Sequence, residues 1–390
     1  MIAFHKPYLL KEFYKETWTR YENAAESDLF QTLESEAGAW VESALRAVRG
    51  YEKIPNVYWT HSATHALEIM ALALELGPED EVILPSFTYV ATANAFARTG
   101  ARLVFADIET DTLNLDPKSV ERVMGSRTRA IIPIHYGGVA ADLSGLAQLA
   151  KQSGAWLLED AAHCIGSSQA GMALGGFGAM GCLSFHKTKN ISSNGSGGCL
   201  MLSDTALKAR VDEIFYQGTD RAAFLRGETT AYKWKRIGGD FDMPALSKFY
   251  LAEALRHTER VNDRRKQLWR RYAEAFVPLV EKGVLRTAKI DAGAEGNGHI
   301  FYIQTRDVLT RRSLKAALFE NGIETVTHYE PLHLTGIGRK IGRAADHMTI
   351  TEDAGETVLR LPIYPQMTDS EQEKVISEVY QYYRKRGFIS

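Results

Sequence analysis

Two lysines in the stretch SFHKTKNISSNGSGG, Ser184 to Gly198, head the residues with chemical capacity. An apolar run ends there in a polar turn, and glycines that allow close backbone approach follow. A lysine in that position is placed to act as a Schiff-base nucleophile, although surface lysines in a loop would show the same spacing. Upstream, AWLLEDAAHCIG puts Glu159 and Asp160 at the end of a hydrophobic run, the strand edge where open α/β sheets bind ligands. Strand alternation aims one of these acids inward and the other outward. An inward carboxylate can pair with a protonated ring nitrogen; a helix cap or a solvated charge is the plainer use of a lone acid. In THSATHALEIM, residues 60–70, small and hydroxyl residues precede a helical pattern. Amides and hydroxyls at a helix N-terminus make a phosphate site, and Ser62 or Thr64 serves equally as a simple N-cap. PSFTYVATANAF places Phe87 and Tyr89 just after another strand end, where a ring can stack on a flat ligand or fill a core.

The elements that must position these residues lie between about 57 and 203, where short apolar runs (EVILPSF, RLVFADI, RAIIPIHY, AWLLEDAA, CLSFHK, CLMLSD) alternate with helical patterns. Runs of four to six apolar residues with little alternation describe strands buried on both faces, hence a mostly parallel sheet flanked by helices. After Asp204 the texture becomes charged and helical. The segment from Ala245 to Phe276 has apolar residues at intervals of three and four and reads as one long bridging helix. The remainder reads as a smaller α+β domain. The expected division is a large α/β domain over 1–250 and a small C-terminal domain over 251–390, with Gly336 to Met348 as a mobile loop.

Composition narrows the partners. Of 390 residues, 45% are hydrophobic and 24% charged, and 46 Lys plus Arg against 48 Asp plus Glu leave a net charge of −2. No global field attracts nucleic acid or anionic lipid. The opening MIAFHKPYLLKEFYKE carries too many charges for a signal peptide, and the uncharged stretch Ala161 to Phe185 holds six glycines and reads as buried loop rather than a membrane span. Cys164, Cys182 and Cys199 lack CxxC spacing, which fits small core residues in a reduced cytoplasmic setting and no metal site.

The four chemical segments follow one another at successive strand ends. Together with LEDAAH, THYEPLH and LRLPIYPQMT they make the chain similar, over nearly its whole length, to the pyridoxal-phosphate (PLP)-dependent sugar aminotransferases of the DegT and StrS type. These belong to the aspartate aminotransferase fold class, PLP-dependent transferase fold type I. SFHKTKN followed by FLRGETTAYKWKRIG resembles in particular the members that make dTDP-4-amino-4,6-dideoxygalactose. The resemblance implies that Lys189 is the Schiff-base lysine, with Lys187 its neighbour. It implies that Asp160 pairs with the pyridinium nitrogen and that His163 lies near the ring's phenolic oxygen. Tyr89 then lies against the ring face, and Ala63, Thr64 and Ser184 at the phosphate.

One departure stands out. Family members often carry an Asn before a Met that reaches the phosphate of the other subunit's cofactor, whereas this chain has GGDFDMPALSKF with Asp240 there. An acid beside a phosphate is repulsive, so that contact is not carried over.

The implied reaction moves an amino group from L-glutamate to a nucleotide-linked keto sugar, dTDP-4-keto-6-deoxy-D-glucose, in a homodimer with shared active sites. Arg226, Tyr232 and Lys233 are candidates for the nucleotide diphosphate, with Trp234 and Arg236 beside them; a solvated loop is the alternative. His328 and His333 are candidates for the sugar, or packed histidines. Rival readings are amination at carbon 3, a 3-dehydratase, which would carry His in place of Lys189, and a catalytically idle regulator.

Overall fold

The computed structural model describes residues 1–8, 11–25, 30–290 and 293–389. The short apolar runs form its centre. Among the described residues the large sheet has eight strands, in the order Asn56–Thr60, Gly198–Leu202, Met180–Ser184, Trp156–Asp160, Thr128–Ile131, Glu81–Pro85, Arg102–Ala106, Gly342–Ala344. Gly198–Leu202 runs against both neighbours, and every pair from Met180–Ser184 to Gly342–Ala344 is parallel. Neighbouring residues feed two separate cores: Ile83, Val104, Ile131 and Leu183 face one, and Val82, Leu84, Leu103, Phe105 and Leu158 the other. Both faces are buried, which is why these strands show no polar alternation.

Helices cover the two faces. Ala63–Ala73 and Val90–Ala97 bury Leu67, Met70 and Phe96 on one side, and Leu143–Ser153 buries Leu143, Leu146 and Ala150 on the other. Their ends are set locally. Ser62 and Asp142 accept the His65 and Gly145 amide N–H at 3.2 and 2.9 Å, and Gly154, at φ 70°, stops the second helix in the left-handed region. A three-stranded antiparallel sheet, Leu285–Thr287, Phe301–Thr305 and Val358–Leu361, packs with Thr258–Glu281, Val308–Glu320 and Asp369–Lys385 around Leu268, Tyr272, Phe276, Leu314 and Val379. Cys164, Cys182 and Cys199 are free and buried, and among the described residues no helix is long and apolar enough to cross a membrane. The uncharged stretch 161–185 holds a tight hairpin, Ser168–Gln169 with Met172–Ala173, and the sheet strand Met180–Ser184.

Two expectations fail here. The bridging helix is two helices, Ala245–Leu255 and Thr258–Glu281. The first is buried almost all round, from Lys248 to Leu255, while the second must turn onto the small sheet. The Thr258 hydroxyl caps the Leu255 carbonyl at 2.6 Å across the break. Nor is Gly336 to Met348 a loop: Gly336–Ile341 is helical and Gly342–Ala344 is the edge strand beside Arg102–Ala106. Arg343 holds it there by pairing with buried Glu81 at 2.9 Å.

Gly342 allows this docking because an added Cβ would stand 2.7 Å from the Leu103 carbonyl oxygen. Gly342→Val should therefore destabilise the protein by about 1–3 kcal/mol, read as a lowered urea midpoint at unchanged slope.

Candidate active site

Parallel strands open their C-terminal ends on one edge, and a cavity of about 500 Å³ lies there. Asp160 and Ser184 end two of the strands, and Thr60 and Pro85 lead into Ala63–Thr64 and Tyr89. Asp160, Ser184, Ala63, Thr64 and Tyr89 line the cavity, as do His163, Lys189 and His328.

Lys189 follows strand Met180–Ser184 in a tight turn, where its amide donates to the His186 carbonyl at 2.8 Å and that of Lys187 to the Gly195 carbonyl at 2.9 Å. Burial pushes its ammonium down to about 8, with Asp160 opposing the shift and Arg360 adding to it. Asp160 is buried, accepting from the Thr92 hydroxyl at 2.7 Å and the Ala162 amide at 3.1 Å. Alternation does aim Glu159 the other way, yet into the interior and not to solvent. It is fully buried, accepting the amides of Gly175, Phe177 and Gly178 at 2.7–2.8 Å and facing His135 at 3.0 Å. Glu159 thus folds the glycine turn behind the site, leaving Asp160 alone to face the cavity.

His163 accepts the Gly137 N–H on Nδ1 at 3.2 Å, so Nε2 carries its proton. Burial first, then Lys189, His328 and Arg360, holds it well below its usual value and therefore neutral. Ala63 and Thr64 begin helix Ala63–Ala73, and its first-turn amides make the N-terminal seat for an anion. A Cβ at residue 198 would lie 2.3 Å from the Ala63 nitrogen, so only glycine lets that strand pass beneath the seat. The hydroxyl-bearing Ser184 and Ser196 complete the wall. Tyr89, 62% exposed, stands at the mouth.

The remaining candidates lie elsewhere or act differently. Arg226 pairs with Glu228 at 2.6 Å and Asp212 at 3.5 Å, Tyr232 meets the Phe224 ring, and the Lys233 amide donates to Asp220 at 2.6 Å. None of the three lines the cavity of this chain. His333 is also outside it, held by the Ser86 hydroxyl at 2.7 Å and Glu352 at 3.2 Å. His328 lines the cavity, but both its nitrogens are engaged: Nε2 accepts from Arg360 and Nδ1 faces the Tyr136 hydroxyl at 3.2 Å. Burial, then Arg360, pushes its pKa down to about 2, so it stays neutral. Asp240 is exposed on a bridge to Tyr216.

Sequence reasoning missed Arg360, His299 and Asn190. Arg360 projects into the cavity from strand Val358–Leu361, and its Nε is buried without a partner among the described residues. The signal was present: a lone charge inside the apolar run VLRLPI. Asp160 is the one carboxylate among the described cavity residues, against Lys189 and Arg360, so the cavity favours anions. Asn190, next to Lys189, donates to Asn262 at 2.9 Å and to the Asn297 carbonyl at 3.1 Å, and accepts from His299 at 2.8 Å. The His299 ring lies 4.6 Å from that of His163.

The model of the DegT/DnrJ/EryC1/StrS aminotransferase family matches residues 19–380. The chain belongs to this family. It is 30% identical, over 89% of its length and 90% of the relative's, to a Geobacillus stearothermophilus protein named pleiotropic regulatory protein. It is also 30% identical, over 85% of each chain, to the UDP-N-acetyl-3-dehydro-alpha-D-glucosamine 3-aminotransferase of Acidithiobacillus ferrooxidans. Among solved structures it resembles the aminotransferase TlmJ from Streptoalloteichus hindustanus, with a TM-score of 0.84 and 26% identity over 99% of this chain and all of that one. The fold is that of the PLP-dependent aminotransferases, and the enzyme class is transaminase. Pyridoxal 5′-phosphate is the family's cofactor. The cavity fits it, with an amine of lowered pKa, a buried carboxylate, an aromatic ring at the mouth and a helix N-terminus for the phosphate.

Because the pKa of Lys189 lies near 8, its neutral, nucleophilic form gains population as pH rises through that value. Capture of PLP by the apoprotein should accelerate with pH up to about 8 and level off above it, where a free lysine would keep rising to about 10.4. Stopped-flow absorbance measures this directly.

Proposed function

We propose that this chain transfers the amino group of L-glutamate to a nucleotide-linked keto sugar, and in particular converts dTDP-4-keto-6-deoxy-D-glucose to its 4-amino product. The carrying observation is that Lys189 and Asp160 meet in a single anion-selective cavity. Bound PLP supplies an electron-withdrawing ring that stabilises a carbanion beside the amino group. The protein's share falls to four side chains. The Lys189 amine anchors the cofactor, and when released it moves a proton between the donor α-carbon and the cofactor carbon. With the cofactor bound, Asp160 would hold the proton on its ring nitrogen, and His163, with Nε2 protonated, would supply a donor to its ring oxygen. Arg360 seats the donor's α-carboxylate, which would neutralise a buried guanidinium whose Nε has no partner among the described residues.

Sugar recognition rests on SFHKTKN and FLRGETTAYKWKRIG and on the name of the Acidithiobacillus relative. That same name favours carbon 3 as the second reading for the site of amination. Arg226, Tyr232 and Lys233 belong to an exposed segment with Trp234 and Ile237, which are 78% and 72% accessible. In our reading a two-fold dimer covers this surface and brings those residues to the nucleotide. A regulator reading is favoured by the Geobacillus relative's name alone.

The test incubates the PLP-loaded protein with L-glutamate and a panel of dTDP- and UDP-linked keto sugars, and locates the new amine by NMR. Amination at carbon 4 of the dTDP sugar is expected; amination at carbon 3 sustains the second reading. Lys189→Ala should abolish the visible band of lysine-bound cofactor and lower turnover by at least about 10²–10⁴-fold. A regulator would keep its partner binding in that variant.

A further inference from the structure

The first eight residues cross the cavity edge between the two halves of the site. Ile2 pairs with the segment around Ile323, its N–H meeting the Gly322 carbonyl at 2.7 Å, and the Phe4 amide donates to the Glu324 carboxylate at 3.1 Å. Lys6 lies over the Tyr364 ring at 4.9 Å, and the Pro7 carbonyl accepts from Gln366 at 3.2 Å. Phe4 and His5 line the cavity between these anchors. The Arg360 guanidinium sits over the Phe4 ring, 4.7 Å from its centroid, and is gripped from elsewhere by His328. His5 Nε2 stands 3.2 Å from the Lys187 carbonyl, which can only accept, so His5 donates to the turn that carries Lys189.

We propose that Phe4 and His5 are positioning residues of the active site, Phe4 for the Arg360 guanidinium and His5 for the Lys187–Lys189 turn. Among the described residues no carboxylate pairs with Arg360 to fix its plane, so its orientation depends on its two neutral neighbours, the His328 nitrogen and the Phe4 face. A guanidinium stacked on an aromatic ring keeps its N–H edge free for an anion. The same strap touches the guanidinium and the turn that carries the amine. This inference rests on the proposed seating of the donor carboxylate at Arg360.

The experiment titrates the PLP-loaded enzyme calorimetrically with glutarate, a dicarboxylate that cannot react. Phe4→Leu, which keeps apolar volume but removes the ring, should weaken glutarate binding about three- to thirty-fold, and Phe4→Tyr should retain it. Wild type that binds glutarate with an unchanged affinity in Phe4→Leu overturns the role of Phe4 alone. Failure of wild type to bind glutarate overturns the carboxylate seat together with it. For His5, the readout is the pH midpoint of the visible band of lysine-bound cofactor. His5→Ala should shift it by about half a unit, while His5→Gln, which keeps an N–H donor, should not. An unmoved midpoint in His5→Ala overturns that half of the proposal, and loss of PLP binding in either Phe4→Leu or His5→Ala shows a merely structural strap and overturns it as well.

Discussion

The Asn190 side chain ties the turn that bears Lys189 to the C-terminal part of the chain. Its amide NH₂ donates to Asn262 on helix Thr258–Glu281 and to the Asn297 carbonyl, and its oxygen accepts from His299 Nδ1–H. Asn262 and Asn297 both continue to the Ile165 carbonyl, and Asn297 also reaches that of His163. All four side chains are buried, so each bond left unmade would strand a polar group away from water, at about 1–3 kcal/mol apiece. The turn bearing Lys189 and the segment bearing His163 are therefore held by the C-terminal part of the chain as well as by the sheet.

Electrostatics adds a second constraint. Lys189 and Arg360 face one cavity with Asp160 as the carboxylate among its described residues, and the neighbouring histidines 163, 299 and 328 are all held neutral by burial. The cavity is consequently short of negative charge. A phosphate and a substrate carboxylate would each restore balance at a different wall, the helix N-terminus at Ala63 and the guanidinium. Neutral histidines can then act as oriented donors and acceptors without adding to the positive field.

Local and long-range information divide cleanly among the residues of the site. Unbroken apolar runs announced the strands, because a strand covered on both faces has no polar alternation to show. The acids and lysines that end those runs were legible for the same reason, since the ends of parallel strands are where a polar residue can face a ligand. Ser62 was readable as a cap, a contact that spans only three residues. By contrast, the edge strand Gly342–Ala344 looked like a loop, because its partners Leu103 and Glu81 lie more than two hundred residues away.

The two candidate sugar-site histidines show the same limit. His328 and His333 occur five residues apart in one motif, yet one grips Arg360 in the cavity and the other clasps Ser86 and Glu352 outside it. Asp160 and Glu159 are adjacent and chemically alike, and only the packing of the glycine turn 175–178 decided that Glu159 would be buried behind the site. Residue type and short-range spacing mark the pair of strand-end acids, the pair of lysines and the helix N-terminus as candidates, because each depends on its immediate neighbours in the chain. Which charge stays unpaired, which histidine is neutral and which strap closes the wall depend on groups brought together from distant segments, and burial and pairing exist only once the chain has folded.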